Sequence, residues 1–123
     1  MSPVALNDRK IDYVEFTVDS IPAVRTFYEA AFGWKFRDFG PSYTDFSDGR
    51  LTGGLAAGTR APGARGALVV LYAVDLGAVR NQILAAGGKL IGELLHFPGG
   101  CRFHFSDPAG NELAVWSEKP GSW

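Results

Sequence analysis

An internal repeat is the feature that most limits what this chain can fold into. "AVRTFYEAAFGWKF" begins at Ala23 and "AVRNQILAAGGKL" begins at Ala78, and each follows a strand-like segment that ends in Val-Asp, at Asp19 and at Asp75. Similarity at a fixed period indicates repeated supersecondary units. Alternating apolar residues and turn residues predict three short strands after each helix, so each half is expected to be a βαβββ module.

The repeat also sets the predicted domain organisation. The Gly/Pro/Arg-rich segment at about 58–66 is typical of a linker. We therefore predict one α+β domain over residues 8–118, with a first module at about 8–58 and a second module at about 67–118. One helix covers one face of each module's sheet. The uncovered faces of the two modules are expected to meet around a central cleft.

Composition excludes several classes of function. The chain has 123 residues and a formal net charge of −1, which gives no electrostatic reason to expect nucleic acid or an anionic membrane as a partner. The longest apolar run, "ALVVLYAV" at 67–74, is too short to span a bilayer. A single cysteine, Cys101, excludes an internal disulfide and is expected to be a packing residue. These features predict a cytoplasmic protein.

Each predicted helix has recognisable start and stop residues. Ser20 is expected to cap the first helix, with Pro22 in its first turn, and Gly33 is expected to end it. The second helix is expected to end at the Gly87-Gly88 pair.

Three short motifs resemble those of a known superfamily. They are "F-Y-x-x-x-F-G-W" at 27–34, "G-G-L" at 53–55 and "D-P-x-G-N" at 107–111. On paired βαβββ modules, they resemble the vicinal oxygen chelate superfamily, which includes glyoxalase I, bleomycin-resistance proteins and extradiol dioxygenases. The "G-G-L" motif is similar to the branch of glyoxalase-related predicted enzymes. The resemblance covers roughly residues 10–118 and implies a mixed-sheet half-barrel around a central cleft.

The resemblance also implies where a metal would bind. Metal-dependent members take one ligand from each of four strands. The first, third and fourth of these positions carry over to Tyr13, Val69 and Ala114, and the second falls within "LTGGLAAG" at 51–58. Divalent metals need N, O or S donors, and a tyrosine phenol with a pKa near 10 is a poor one at neutral pH. We therefore expect no metal and no other cofactor.

Loss of the metal ligands would leave a more apolar cleft, which is the usual form of a small-molecule site. Strand alternation predicts which side chains line it, with Leu113 and Val115 packing on the helix side instead. The predicted lining residues are Tyr13, Glu15, Val69, Leu71, Arg102, His104, Glu112, Ala114 and Trp116.

Two polar residues of this lining could do chemistry. His104, at the position of an active-site tyrosine in extradiol dioxygenases, could be a general acid or base, or a hydrogen-bonding group for a ligand. It could also be a structural histidine that is bonded to a backbone carbonyl or to a neighbouring acid. Glu15 could serve as a base, pair with Arg102 or His104, or be solvated. His96 is expected in a surface loop.

Four functions remain open on these grounds. The first is a small-molecule-binding protein that takes an apolar or aromatic metabolite or drug, similar to bleomycin-resistance proteins. The second is a metal-independent isomerase, lyase or cyclase that uses Glu15 or His104. The third is a metal enzyme whose ligands are displaced to Glu15, His104 or Glu112, and the fourth is a scaffold without a small ligand. Open sheet edges and the resemblance predict a homodimer.

Overall fold

The computed structural model describes residues 5–58, 66–108 and 110–123, and the predicted linker lies largely outside them. The chain is α+β. In chain order the elements are β1 (Lys10–Val18), α1 (Ile21–Phe32), β2 (Lys35–Asp38), β3 (Tyr43–Ser47), β4 (Thr52–Ala57), β5 (Ala67–Tyr72), α2 (Leu76–Ala85), β6 (Lys89–Phe97), β7 (Gly100–Ser106) and β8 (Glu112–Ser117). Neither helix of the described residues has the length and apolar character needed to cross a membrane.

The chain forms two compact units. Among the described residues, the first unit holds Tyr13–Leu68, and the second holds residues 5–12 together with Val69–Trp123. The boundaries therefore fall inside β1 and β5. The first unit has the strand order β2-β3-β4-β1 and the second has the order β5-β8-β7-β6. In each unit one strand pair is parallel, β1 with β4 and β5 with β8, and the others are antiparallel. The predicted βαβββ pattern is therefore present twice.

Both helices begin at a side-chain cap. Ser20 precedes α1 and its Oγ accepts a hydrogen bond from the backbone N–H of Ala23, while Asp75 precedes α2 and accepts from the N–H of Ala78. Gly33 ends α1 in the left-handed region at φ 70°, as the sequence predicts. Ser20 and Asp75 are thus equivalent positions of the repeat.

In the first unit, α1 and the sheet enclose an aromatic-rich core. Its buried centre is Ile21, Phe46 and Leu55. Trp34 stacks on Phe46 with ring centroids 4.5 Å apart. Gly53 lies beneath this stack, where an added Cβ would overlap both the Val14 carbonyl oxygen and the Phe46 ring. Glycine is therefore required at this point for steric reasons.

In the second unit, α2 packs on β7 and β8. The buried centre of this core comprises Ala73, Leu76, Val79, Cys101, Phe103 and Val115. Trp123 lies against Phe103 at 5.0 Å between ring centroids, and the Arg80 guanidinium lies 4.5 Å over the Trp123 ring. Cys101 is buried as a packing residue, and burial raises the pKa of its thiol.

The segment before β1 and the first residues of that strand belong to the second unit. An Asp8 carboxylate oxygen accepts a hydrogen bond from the N–H of Val74 at 2.8 Å, and the backbone N–H of Arg9 donates to the Tyr72 carbonyl at 2.7 Å. Further along, the Trp116 indole donates to Asp12 at 3.0 Å. These contacts fix the N-terminal segment to β5, β8 and the start of α2.

The Asp75 cap predicts a specific acid sensitivity. Its carboxylate accepts from the Ser122 N–H at 3.0 Å and hydroxyl at 2.7 Å, as well as from the Ala78 N–H. These bonds lower the pKa of Asp75 from 3.8 to about 2, and the two bonds from Ser122 have the largest effect. A folded-state pKa below the unfolded one means that this stabilisation is complete above roughly pH 4 and is lost as the pH falls through about 2.

We therefore expect the urea midpoint of the wild-type protein to fall more steeply between pH 5 and pH 2 than that of Asp75→Asn. Urea unfolding followed by circular dichroism at several pH values measures both. Asp19→Asn, at an exposed position beside the cap of the first helix, is the matched control and should keep the wild-type slope. Equal slopes for Asp75→Asn and the wild-type protein would contradict the role of this carboxylate.

Candidate functional site

Most of the candidate site residues lie on the face of the sheet that the helix of their unit does not cover. We call this the helix-free face. In the second unit, Cys101, Phe103 and Val115 pack in the core with α2, so the alternate residues of β7 and β8 lie on the helix-free face. The strand register adds their partners on β5 and β6. The helix-free face of the second unit carries Val70, Tyr72, Ile91, Leu95, Phe97, Arg102, His104, Glu112, Ala114 and Trp116.

Two predicted lining residues lie on the other face. The register pairs Val69 with Leu113, and Leu71 with Val115, and Leu71 packs on the core beneath α2. Val69 and Leu71 therefore lie on the helix-covered face, and the prediction that they line a cleft with Ala114 is wrong.

The error comes from how the two halves were aligned. The prediction matched Asp19 with Asp75, whereas the equivalent caps are Ser20 and Asp75. Shifting by one residue changes the face of every side chain in a strand. The residue equivalent to Tyr13 is then Leu68, which is buried and, like Val69, offers no donor to a metal.

In the first unit, a buried acid on the helix-free face is bonded to one of two tyrosines whose hydroxyl groups contact each other. The Tyr43 hydroxyl donates to Glu15 Oε1 at 3.0 Å, and the Tyr13 and Tyr43 hydroxyls lie 2.6 Å apart. Glu15 and Tyr13 are both buried. Burial, together with the nearby Glu15 charge, raises the pKa of Tyr43 well above its ordinary value, so Tyr43 stays protonated and remains a donor.

Gly54 makes room for this network. It is paired with Glu15 across the β1–β4 ladder, and an added Cβ would overlap the Tyr43 hydroxyl and come within 2.6 Å of the Tyr13 hydroxyl. The strand that would supply the second metal ligand therefore carries a glycine where two phenol groups approach its backbone. Sequence reasoning noted the lack of donors in this strand but did not find the tyrosine pair.

In the second unit, His104 and Glu112 form a side-chain pair. His104 Nδ1 lies 2.8 Å from Glu112 Oε2, and the two side chains are 14% and 19% exposed. Within the sheet, His104 stands between Ala114 on β8 and Ile91 on β6. The contact corresponds to the sequence alternative of a histidine bonded to a neighbouring acid, with Glu112 as that acid.

Aromatic rings surround the buried end of the same face. The Trp116 ring lies 5.2 Å from that of Tyr72 and 6.4 Å from that of Phe97. The Tyr72 hydroxyl donates a hydrogen bond to Glu118. The pKa of Tyr72 is raised to about 12, mainly because the hydroxyl is buried and secondly because of this bond. His96, expected in a surface loop, lies instead within β6.

Exposure on this face is lowest at Ala114 and Trp116 on β8 and highest at Ile91 and Leu95 on β6. Ala114 has no exposed surface, and Trp116 is also buried. His104 is partly exposed, and on β6 Ile91 and Leu95 are 39% and 48% exposed. A small molecule could therefore contact the outer part of this face, while Ala114 lies beneath other atoms.

The residues present do not fit the metal that the resemblance implies. At the family positions stand a phenol at Tyr13, the side chain of Leu68, the methyl of Ala114, and in β4 no carboxylate, imidazole or amide. Across residues 5–58, 66–108 and 110–123, no group of three or more His, Cys, Asp or Glu side chains could hold a metal ion. Within those ranges, the hypothesis of a metal bound by Glu15, His104 and Glu112 has no support.

A pocket of about 220 Å³ lies at the β2–β3 edge of the first unit. Its lining residues are Lys35, Phe36, Arg37, Asp45, Phe46, Ser47 and Thr52. None of the predicted site residues belongs to it, and Arg37 is already paired with Asp45 at 2.8 Å.

The fold is similar to that of several solved structures. A glyoxalase/bleomycin resistance protein/dioxygenase superfamily member from Vibrio splendidus 12B01 is 13% identical, with a TM-score of 0.67, and the match covers 85% of this chain and 96% of that one. Methylmalonyl-CoA epimerase from Mycobacterium tuberculosis is 14% identical, with a TM-score of 0.65, over 90% of this chain and 87% of that one. At these identities the likeness shows the fold alone.

The Mn(II)-bound glyoxalase from Novosphingobium aromaticivorans is 25% identical with a TM-score of 0.63, and the match covers 88% of this chain but 38% of that longer chain. No curated protein matches the sequence significantly. The family model described as Glyoxalase/Bleomycin resistance protein/Dioxygenase superfamily matches residues 10–115, which is most of the chain. The chain therefore belongs to the glyoxalase/bleomycin resistance protein/dioxygenase superfamily.

Proposed function

We propose that this protein binds an apolar or aromatic small molecule on the helix-free face of its second unit, without the metal of its relatives. The observation that carries the proposal is the gradient of exposure across that face. Buried Trp116 and Ala114 give way to the partly exposed His104, and then to the exposed Ile91 and Leu95. Exposed apolar side chains beside a few polar groups are typical of a small-molecule site.

A lack of metal is part of the proposal. The donor set at Tyr13, Leu68 and Ala114 consists of one phenol and two hydrocarbon groups, which are poor ligands for zinc, nickel, iron or manganese. We expect less than one divalent metal per ten chains in protein that was purified without a histidine tag and measured by elemental analysis. One tightly bound metal per chain would contradict the proposal.

The ligand surface can be tested with two matched leucines. Leu95 on β6 and Leu84 on α2 are 48% and 47% exposed, but only Leu95 lies on the helix-free face. For a neutral aromatic compound that binds this face, Leu95→Ser should weaken binding about fivefold, because roughly 1 kcal/mol of apolar contact is lost. NMR titration of labelled protein measures the affinity and identifies the residues whose signals move.

Leu84→Ser is the control and should leave the affinity unchanged. Equal losses in the two variants, or signal changes confined to α2, would contradict a site on the helix-free face. A screen of neutral aromatic compounds in which none shifts the melting temperature or moves these signals would contradict binding itself, because a ligand of the folded state raises its stability.

The Tyr43–Glu15 bond supports a second candidate, a metal-independent enzyme that uses Glu15 as a general base. A buried carboxylate positioned by a phenol donor is a suitable arrangement for proton transfer. Incubation of the protein in D2O with ketones and thioesters that carry an acidic C–H tests this candidate. Deuterium incorporation that is lost in Glu15→Gln would support it, and no incorporation above the buffer rate would contradict it.

A further inference from the structure

We propose that the pocket at the β2–β3 edge of the first unit binds a phosphate group through Lys35, Arg37 and Ser47. Its volume of about 220 Å³ lies below the roughly 300–1,000 Å³ of sites for drug-sized molecules, so the ligand class is inorganic phosphate or a small phosphate monoester. The proposal goes beyond the proposed function, which concerns the helix-free face of the second unit, and either can fail without the other.

The pocket lies over the helix-free face of the first unit. Phe46 belongs to the core that α1 covers, so its neighbours Asp45 and Ser47 point to the other face of the sheet. The register places Lys35 opposite Ser47 and Arg37 opposite Asp45. All of these residues line the pocket. Two cationic side chains, one acid and a hydroxyl group therefore share this face.

The charges of the pocket are only partly compensated. Arg37 Nη2 lies 2.8 Å from Asp45 Oδ2, which neutralises one of the two cations. Among the described residues, Lys35 has no ion-pair partner. Asp48, just beyond the end of β3, accepts hydrogen bonds of 2.8 and 2.6 Å from backbone N–H groups of the following turn. The cations outnumber the acids in the pocket, which favours an anionic ligand.

The hydrogen-bond donors of the pocket suit phosphate oxygens. A lysine ammonium has three donors and an arginine guanidinium has five, of which the contact with Asp45 uses one. Ser47 Oγ accepts from the Gly49 N–H at 3.2 Å, and its own O–H donates to none of the described residues. Lys35 and Arg37 are two residues apart on one face, about 6.7 Å along the strand, so both can contact one phosphate.

The repeat offers an internal comparison for this pocket. Lys35, Ser47 and Thr52 stand side by side across β2, β3 and β4. The equivalent row of the second unit, across β6, β7 and β8, is Lys89, Ser106 and Glu112. The two rows share lysine and serine but differ at the third position, where the carboxylate of the second unit would repel an anion. The row of the first unit therefore favours phosphate and that of the second does not.

NMR titration of labelled protein with inorganic phosphate and with phenyl phosphate tests the site. Signals of β2, β3 and the start of β4 should move with both probes. Lys35→Gln should weaken binding about fivefold, because a positive charge that faces the phosphate is removed. Lys89→Gln, at the equivalent position of the second unit, is the control and should leave the affinity unchanged. Tighter binding of phenyl phosphate would identify a monoester as the ligand, and equal affinities would identify inorganic phosphate.

A second pair of variants tests the comparison between the rows. Thr52→Glu gives the first unit the row of the second and should weaken phosphate binding about tenfold or more. Thr52→Gln has nearly the same size without the charge and should stay within about twofold of the wild-type affinity. The dispersion of the NMR spectra shows whether each variant is folded.

Several outcomes would overturn the phosphate site. These are equal losses in Lys35→Gln and Lys89→Gln, equal losses in the two folded Thr52 variants, and the absence of signal changes at the pocket with either probe. Signal changes spread over the surface lysines and arginines would also overturn it. The proposed function is tested with neutral compounds on the second unit, so it stands or falls separately.

Discussion

Gly53→Ala is expected to lower the free energy of unfolding by about 3 kcal/mol, at the upper end of what overpacking of a core usually costs. The added methyl would overlap the Val14 carbonyl oxygen and the Phe46 ring. The Val14 carbonyl belongs to the backbone of the parallel β1–β4 pair, and this backbone cannot move without breaking the pairing of the two strands. Urea unfolding followed by circular dichroism measures the loss.

The double variant Gly53→Ala/Phe46→Leu separates the two overlaps. Because the smaller side chain relieves only the contact with the ring, we expect the double variant to be no more stable than Gly53→Ala. Restoration of wild-type stability in the double variant would show that the ring alone makes glycine necessary. A stability change of Gly53→Ala below 1 kcal/mol would contradict the packing of this strand altogether.

Tyr43→Phe is expected to lower the free energy of unfolding by about 2 kcal/mol, because the buried Glu15 carboxylate loses the hydrogen bond that the Tyr43 hydroxyl donates to it. The phenyl ring itself is retained, so little apolar contact is lost. Chemical denaturation at pH 7 measures the change, and an unchanged midpoint would contradict the bond.

Tyr28→Phe is the matched control for this substitution. The Tyr28 ring stacks on Trp34 at 4.2 Å between centroids, and phenylalanine keeps that contact. We expect its stability to stay within about 0.5 kcal/mol of the wild-type value. Similar losses in the two variants would mean that removal of a tyrosine hydroxyl is generally harmful in this unit, rather than specific to Glu15.

Much of the fold was predictable because local signals and the repeat agree. The Ser20 cap, the Gly33 stop and the alternation of β7 and β8 each have a short-range cause that a single sequence displays. The repeat then required the same arrangement twice. For this reason the order of the strands and helices was predictable from the sequence.

The faces of β5 were also within reach of the sequence, although the prediction failed there. The two Ala-Val-Arg segments begin at Ala23 and Ala78, 55 residues apart, and that spacing pairs Ser20 with Asp75. Matching the two Val-Asp sequences instead added one residue. Since side chains alternate along a strand, this single residue exchanged Val70 for Val69 on the helix-free face.

The side-chain pairs of the candidate site had weaker signals. His104 and Glu112 flank one hairpin turn, so their closeness follows once the register of β7 and β8 is known. The contact of Tyr43 with Glu15 joins residues on strands that are not neighbours in the sheet, and it depends on the absence of a side chain at Gly54. Such a contact depends on three-dimensional packing that residue spacing does not encode.

The attachment of the N-terminal segment to the second unit has a consequence for dissecting the chain. Fragments that are cut within residues 59–65 would separate Asp8 and Asp12 from Val74 and Trp116, which they bond. The C-terminal fragment would then lack part of its own unit. A circular permutant that joins the original ends and opens the chain at 59–65 would instead make Asp8, Asp12 and Val69–Trp123 contiguous. The boundary that the repeat draws in sequence is therefore not the boundary at which the molecule can be divided.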